Sequence, residues 1–262
     1  MTTPLSIYYN PTAGAGRAQR IYKELSKIDF QLAANDILVI GGDGTFNTLL
    51  NSLPHPEKHR FILLPAGTSN SLCSQISPNI TPLDKLKQYL DNPTFRTIDL
   101  PELTCSNKTY RFINEASVGF AASIAREIEH RSTKRFFNAL HLNELAYIAT
   151  AFRCWSKEAP IMLSLCNNRR ISGNLFPCVN ALLDDQLIDI FHLDCPRHKL
   201  PFELLKLVKA KKDQATPYVT RSQATEMSWT FDQPLPVEID GNPVGAHQHV
   251  HLSLYPHQIQ VL

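Results

Sequence analysis

The sequence predicts an α/β chain in two domains: a parallel sheet with covering helices over residues 1–94, then a mainly antiparallel β domain with helices over residues 95–262. Three observations carry this reading. Short apolar runs alternate with helical stretches up to about residue 90, the rhythm of strands joined by crossover helices. The first three runs each end in a loop of Gly, Pro, Asn or Thr, as strands do at the carboxyl edge of a parallel sheet, where ligands bind. Past Thr94, short strand-like segments follow one another with few helices between them.

In order, a strand is expected over Leu5 to Tyr9, followed by Asn10-Pro11-Thr12-Ala13-Gly14 and a helical stretch from Arg17 to Ile28. The apolar run Ile37 to Ile40 is a buried strand, Gly41 to Thr45 its loop, and Thr45 to Leu53 the helix after it. Phe61 to Leu64 is a third strand ending in Pro65-Ala66-Gly67-Thr68; a short helix from Pro82 to Leu90 and the turn Asp91-Asn92-Pro93 close the region. Three such loops imply one crevice. Strands are then expected at Phe95 to Leu100, Tyr110 to Ile113, Ile161 to Leu165, Leu187 to Leu193 and Val237 to Ile239. Ala139 to Trp155 carries apolar residues at helical spacing, which predicts core packing. Arg131, Lys134 and Arg135 beside Phe136-Phe137 offer the alternative of a transient membrane-surface contact. A second helix is expected from Phe202 to Lys212, with its lysines on a solvated face.

Gly41-Gly42-Asp43-Gly44-Thr45, directly after a buried strand, reads as a phosphate cradle. Glycines let the backbone approach an anion, and the helix that follows aims free N–H groups at it. Asp43 would repel phosphates unless a cation intervenes, which suggests a metal-nucleotide complex; the plainer account is a tight turn with Asp43 as a cap.

Composition bounds the alternatives. A net charge of +2 gives no large basic field, so nucleic acid is not an expected partner. The start Met1-Thr2-Thr3-Pro4-Leu5 lacks the features of a signal peptide, and no apolar run approaches the ~20 residues that span a bilayer, which predicts a cytoplasmic protein. Six scattered cysteines without a CxxC pair predict reduced, mostly core thiols and no zinc site. His247, His249 and His251 alternate, so a strand would put all three on one face; imidazoles at that spacing can bind metal, and a solvent-facing surface is the plainer account. Oligomeric state is not legible in the sequence.

Read together, Asn10 to Arg17, Gly41 to Asn47 and Leu64-Pro65-Ala66-Gly67-Thr68-Ser69-Asn70 resemble the diacylglycerol kinase catalytic family, particularly the soluble bacterial lipid kinases. Asn114-Glu115-Ala116-Ser117-Val118-Gly119-Phe120 is similar to that family's Asn-x-x-x-x-Gly-Phe segment, Asp185 to Ile190 to its Asp-Gly-x-Leu-Asp-Val segment, and Ile239-Asp240-Gly241-Asn242 stands at its Asp-Gly-Glu. The resemblance implies a Rossmann-like N-terminal domain, a β-sandwich-like C-terminal domain, and an ATP-dependent kinase of diacylglycerol or a related lipid alcohol. By the same carry-over, Asn10, Gly14, Gly41, Gly42, Asp43, Gly44, Thr45, Phe46, Asn47 and Thr68 would contact the nucleotide. Asp185 would meet Mg2+ with its side chain, and Leu182 and Leu187 with their carbonyls. The protein would be cytoplasmic, or peripheral at the membrane.

The departures from the family fall on acids. Thr48, Ser71 and Asn242 stand where members carry Glu, Asp and Glu, the last being the proposed proton acceptor. Loss of a well-placed general base lowers a rate by about 10²- to 10⁴-fold, so weakened catalysis is expected. Asp43 remains a catalytic candidate, and Asp240 could take over as base, because residues two apart in an extended segment share a face. The region from Arg20 to Gly41 lacks an extra strand and helix that many members carry, which removes part of the nucleoside pocket. Two alternatives stay open: a non-catalytic nucleotide- or lipid-binding homologue, and an NAD kinase, which shares the Gly-Gly-Asp-Gly-Thr loop. The segment Leu64 to Asn70 argues for the lipid side.

Overall fold

The computed structural model describes residues 6–129, 161–169, 177–209 and 216–262. The expected helix from Ala139 to Trp155, the basic and aromatic residues before it, Cys154, and Lys211 and Lys212 lie outside these residues. The chain clusters into two units, the first containing the residues up to Leu100 together with Tyr255–Leu262, the second Pro101–Leu254.

In the first unit, β1 (Ile7–Tyr9), β2 (Asp36–Gly41) and β3 (Arg60–Pro65) pair in parallel, β13 (Ile259–Val261) adds parallel to β3, and β4 (Arg96–Ile98) closes the edge antiparallel. β4 and β13 lie past residue 94 in sequence, yet they belong to the first sheet. β2 is buried along its whole length, as expected for a central parallel strand covered on both faces. The helices are α1 (Ala13–Leu25), α2 (Asp43–Ser52), α3 (Ser71–Ile76) and α4 (Pro82–Asp91). α1 buries Ala18, Ile21 and Leu25, a spacing of three and four that makes one apolar stripe against Leu38, Ile40, Ile62 and Leu64. α4 starts at a Thr81 cap whose hydroxyl accepts the Asp84 N–H, with Pro82 in the first helical position. At the sheet's amino edge, opposite the loops, the buried Asp36 carboxylate accepts two bonds from Arg60, at 2.6 and 2.8 Å, and one from the Tyr89 hydroxyl at 2.8 Å. The hydrogen bonds to Asp36 hold the Arg60 guanidinium above its ordinary pKa, against the lowering effect of partial burial.

Among its described residues, the second unit forms one eight-stranded antiparallel sheet. It comprises β5 (Pro101–Cys105), β6 (Lys108–Arg111), β7 (Glu115–Gly119), β8 (Ile161–Cys166), β9 (Ile188–Asp194), β10 (Val219–Ala224), β11 (Glu226–Ile239) and β12 (Asn242–Leu254), in the order β10-β9-β8-β7-β11-β12-β5-β6. One face contributes Leu103, Val118, Leu163, Ile190, Val237 and Leu252 to a single core. Strands from both ends of the order meet in that cluster, so the sheet bends around its own core. Register shifts in β11 at Thr230/Leu235 and Val237/Glu238 mark irregularities where such bending is accommodated. A sandwich-like core thus arises here from one sheet. On the opposite face, α5 (Phe120–Glu129) packs on β7, β8, β11 and β12, and α6 (Leu200–Lys209) contributes Leu200 to the cluster of Phe120, Phe191 and Leu193. Cys166, Cys178 and Cys195 lie in that same buried cluster, as core thiols.

Candidate functional site

The loops after β1, β2 and β3 touch one another through their glycines. A Cβ on Gly67 would stand 2.5 Å from the Gly42 Cα, and one on Gly14 would stand 1.9 Å from the Ala66 carbonyl oxygen. Gly14, Ala15 and Gly16 have φ of 58°, 55° and 84°, so the loop makes a left-handed turn before the regular part of α1 begins. Asn70, itself left-handed at φ 48°, clamps the third loop: its Oδ1 accepts the Gly67 N–H at 2.9 Å and its Nδ2 donates to the Gly67 carbonyl at 3.0 Å. Arg17 Nη1 donates to the same carbonyl at 3.3 Å, which holds a guanidinium at this edge. Asn10 Oδ1 accepts the Thr12 N–H and hydroxyl, closing the first loop.

Three of the glycines therefore serve loop-to-loop contact. Gly44 differs: it is exposed, a Cβ there meets nothing within 4 Å, and in the first turn of α2 its N–H has no intrahelical acceptor. Thr68 is exposed at the tip of the third loop. Phe46 is a core side chain packed edge-on to Phe61 at 5.0 Å, Thr45 packs against Gly41, and Asn47 is buried and accepts from Asn51.

Asp43 joins two helix starts. It opens α2, and its carboxylate accepts the Ser71 N–H at 2.7 Å and the Leu72 N–H at 3.1 Å, capping α3. The dipole of α3 offsets the charge that sequence alone would balance with a cation. The side chains of Ser71 and Thr48 bond locally, to Ser69 at 3.0 Å and to the Gly44 carbonyl at 2.9 Å. Behind α3, the Cys73 thiol is pushed up to about 12 by burial, with Asp43 adding to it. The buried Lys85 donates to Ser77 at 2.7 Å, and burial lowers its pKa.

In the second unit, Asp240-Gly241 is the two-residue turn joining β11 to β12, with φ of 47° and 85°, the positive pair that a type I′ hairpin needs. Both Asp240 oxygens are engaged: Oδ2 accepts the Ile113 N–H at 2.8 Å, and Oδ1 accepts the N–H groups of Asn114 and Glu115 at 2.8 and 3.1 Å. A base role would have to compete with these three donors. Asn242 is exposed at the start of β12. Gly119, at φ 84°, lies so close to the Ile161 carbonyl that a Cβ would meet its oxygen at 2.2 Å, which is the local reason for glycine in the Asn114 to Phe120 segment.

Two carboxyls absent from the sequence-based set stand beside Asp240. Glu238 is buried, accepting from the Ser117 hydroxyl at 2.8 Å and from the Gly241 N–H at 2.5 Å. Burial pushes it up to about 7, against the lowering effect of those two bonds and with help from Asp240. Glu115 is raised well above the ordinary range, first by burial and then by Glu238. Ser164 lies near enough to moderate that rise, although Glu115 Oε1 and Ser164 Oγ are outside hydrogen-bonding geometry. Alternation along β11 reads Glu238 as solvent-facing, whereas it is buried on the face of the strand opposite Val237 and Ile239.

Asp185 lies in the loop before β9, half-buried, with Oδ1 accepting the Leu187 N–H at 3.1 Å. Its Oδ2 and the loop carbonyls are hard donors of the kind Mg2+ takes. Leu182 is exposed in the same loop. Gln186 sits at φ 59°, a left-handed position that favours glycine, so the exchange at this motif position leaves the turn in place with a strained residue in it. Among the described residues, no three His, Cys, Asp or Glu side chains are grouped to hold a metal ion, and no helix is long and apolar enough to cross a membrane.

Residues 6–103 match the family model of the diacylglycerol kinase catalytic domain. The chain is 25% identical to a Xanthomonas oryzae pv. oryzae protein named "Probable lipid kinase YegS-like", covering 86% of this chain and 77% of that one. It is 25% identical to the Yersinia pestis protein of the same name, covering 98% and 86%. A solved diacylglycerol kinase structure from Bacillus anthracis str. Sterne superposes with a TM-score of 0.62 at 16% identity, covering all of this chain and 97% of that one.

Proposed function

We propose, from the match of residues 6–103 to the diacylglycerol kinase catalytic domain, that the chain is a member of that family, binds ATP at the β1, β2 and β3 loops and phosphorylates a lipid alcohol. The observation that carries this reading is the division of labour among the glycines. Gly14, Gly42 and Gly67 lock three loops together, while Gly44 offers an open backbone N–H at a helix start. Such a start attracts phosphate by both its free donors and its dipole. Arg17, held on the Gly67 carbonyl, adds a fixed positive charge beside it.

In the proposed reaction, the Gly44 N–H and Arg17 hold phosphate oxygens, and Asp43 keeps α2 and α3 in register so that these donors stay aimed. Phosphoryl transfer depends mainly on such positioning and charge stabilisation. In the second unit, Asp185 and the carbonyls of Leu182 and Leu187 would hold Mg2+ through oxygen donors. Asp240 acts as a strut for the Asn114 segment, because its oxygens are occupied by backbone donors.

A second reading, a homologue that binds without turnover, is favoured by Thr48, Ser71 and Asn242 replacing acids and by the engagement of Asp43 and Asp240. The test is ATP binding and phosphate transfer across diacylglycerol, ceramide and NAD, with Gly44→Ala as the site probe. Alanine favours helix over glycine by about 1 kcal/mol, so this variant should be slightly more stable yet bind ATP more weakly. Unchanged ATP affinity would remove Gly44 from the site. Binding without transfer to any acceptor would leave the second reading, and transfer to NAD alone would replace the lipid assignment.

A further inference from the structure

Two stacked tyrosines at the end of β1 have no part in the phosphate cradle. The rings of Tyr9 and Tyr22 lie face to face, with centroids 4.3 Å apart and planes 5° from parallel. Both are half-buried and pack against the cluster that contains Ala18, Leu38 and Ile40. Neither hydroxyl is bonded or buried among the described residues, so the polar tips of the pair are wet. A tyrosine that serves a core alone usually finds a partner for its O–H. This pair instead stands at the surface with ring area still open to water.

Its place in the fold links it to the cradle. Tyr9 is the last residue of β1, directly before Asn10, and β1 is the edge of the five-stranded sheet. Tyr22 follows Arg17 on α1 by five residues, about 7.5 Å along the helix axis, and side chains on a helix lean back toward its start. Arg17 is the guanidinium held on the Gly67 carbonyl, where the phosphates are placed. We propose that the purine base of the bound nucleotide stacks on the Tyr9–Tyr22 pair, at the open edge of the sheet. The inference rests on ATP binding at the β1, β2 and β3 loops. A base has a flat π-face that continues an aromatic stack, and such contact adds affinity without reading the base's hydrogen-bonding edge. Arg17 and Gly44 thus hold the anionic end of the nucleotide, and the tyrosines hold its aromatic end.

The test is calorimetric titration of the full chain with ATP and, separately, with inorganic tripolyphosphate, which keeps the anionic end of the nucleotide and lacks the base. Tyr9→Leu and Tyr22→Leu should each weaken ATP binding about 10-fold and leave tripolyphosphate binding as it was. Tyr22→Phe should restore what Tyr22→Leu loses, because stacking needs the ring and not the hydroxyl. Unchanged ATP affinity in both leucine variants would overturn the stacking assignment and leave the phosphate cradle standing. Equal loss of ATP and tripolyphosphate would also overturn it, by assigning the tyrosines to the shape of the first loop. Failure of the unaltered chain to bind either ligand would remove the ATP reading itself, and this subsite with it.

Discussion

Replacing Glu238 with glutamine should stabilise the protein, and only above the pH at which free carboxyls ionise. Glu238 moves from its ordinary 4.5 to about 7 in the folded chain, chiefly because burial penalises its charged form. Below about pH 4.5 it is protonated in both folded and unfolded states and contributes no difference. As pH rises toward 7 the unfolded chain ionises first, so stability falls; above 7 both states are ionised and the penalty levels off. A move from 4.5 to about 7 corresponds to about 3 kcal/mol. The amide of Glu238→Gln can accept the Gly241 N–H and donate to the Ser117 oxygen, so it keeps both contacts without a titrating group. It also removes the charge that raises Glu115. Urea unfolding of both chains at about pH 3.5, 6 and 8 should therefore give equal stability at the lowest pH and a gain of up to about 3 kcal/mol at the highest, or roughly 6–12 °C in Tm. A difference that does not change with pH, or a variant less stable at pH 8, would refute the reasoning.

Gly67→Ala forces a Cβ to within 2.5 Å of the Gly42 Cα. Neither backbone can yield cheaply, so thermal denaturation should show a loss of about 1–3 kcal/mol, where Gly44→Ala gains slightly, and ATP binding should weaken as well. Asp36→Ala leaves Arg60 and Tyr89 without their shared acceptor; because Arg60 is 38% exposed, water screens part of the loss. Denaturant titration should give about 2 kcal/mol, below the 3–5 kcal/mol of a fully buried pair. Ala15→Gly relieves a left-handed alanine at φ 55°. Relief of about 1–2 kcal/mol against a glycine entropy cost of about 0.5–1 kcal/mol predicts a small net gain, measurable by the same titration.

Much of the first sheet was legible because its strands are continuous apolar runs that end in glycine loops, a pattern that burial on both faces imposes. The expected strand Phe61 to Leu64 lies within Arg60–Pro65, and the expected helix Pro82 to Leu90 within Pro82–Asp91. The strand Val237 to Ile239 was foreseen only as the end of Glu226–Ile239, because Ser, Thr and Asp at Ser228, Thr230 and Asp232 on the exposed side hide the rest of that strand. The return of Ile259–Val261 to the first sheet was not legible at all, since it pairs with β3 across some two hundred residues and leaves no local mark.

The sequence by itself determined the loops: which glycines stand where, that Asp43 follows a buried strand, and that Thr48, Ser71 and Asn242 are not acids. Backbone chemistry there depends on residue identity alone, because only glycine admits these contacts. The tertiary structure decided what the carboxyls do. Asp43 caps α3, Asp240 ties the turn to residues 113–115, and burial makes Glu238 a neutral-range acid. A side chain's charge state and partners depend on what the rest of the chain brings over it, and those neighbours are distant in sequence.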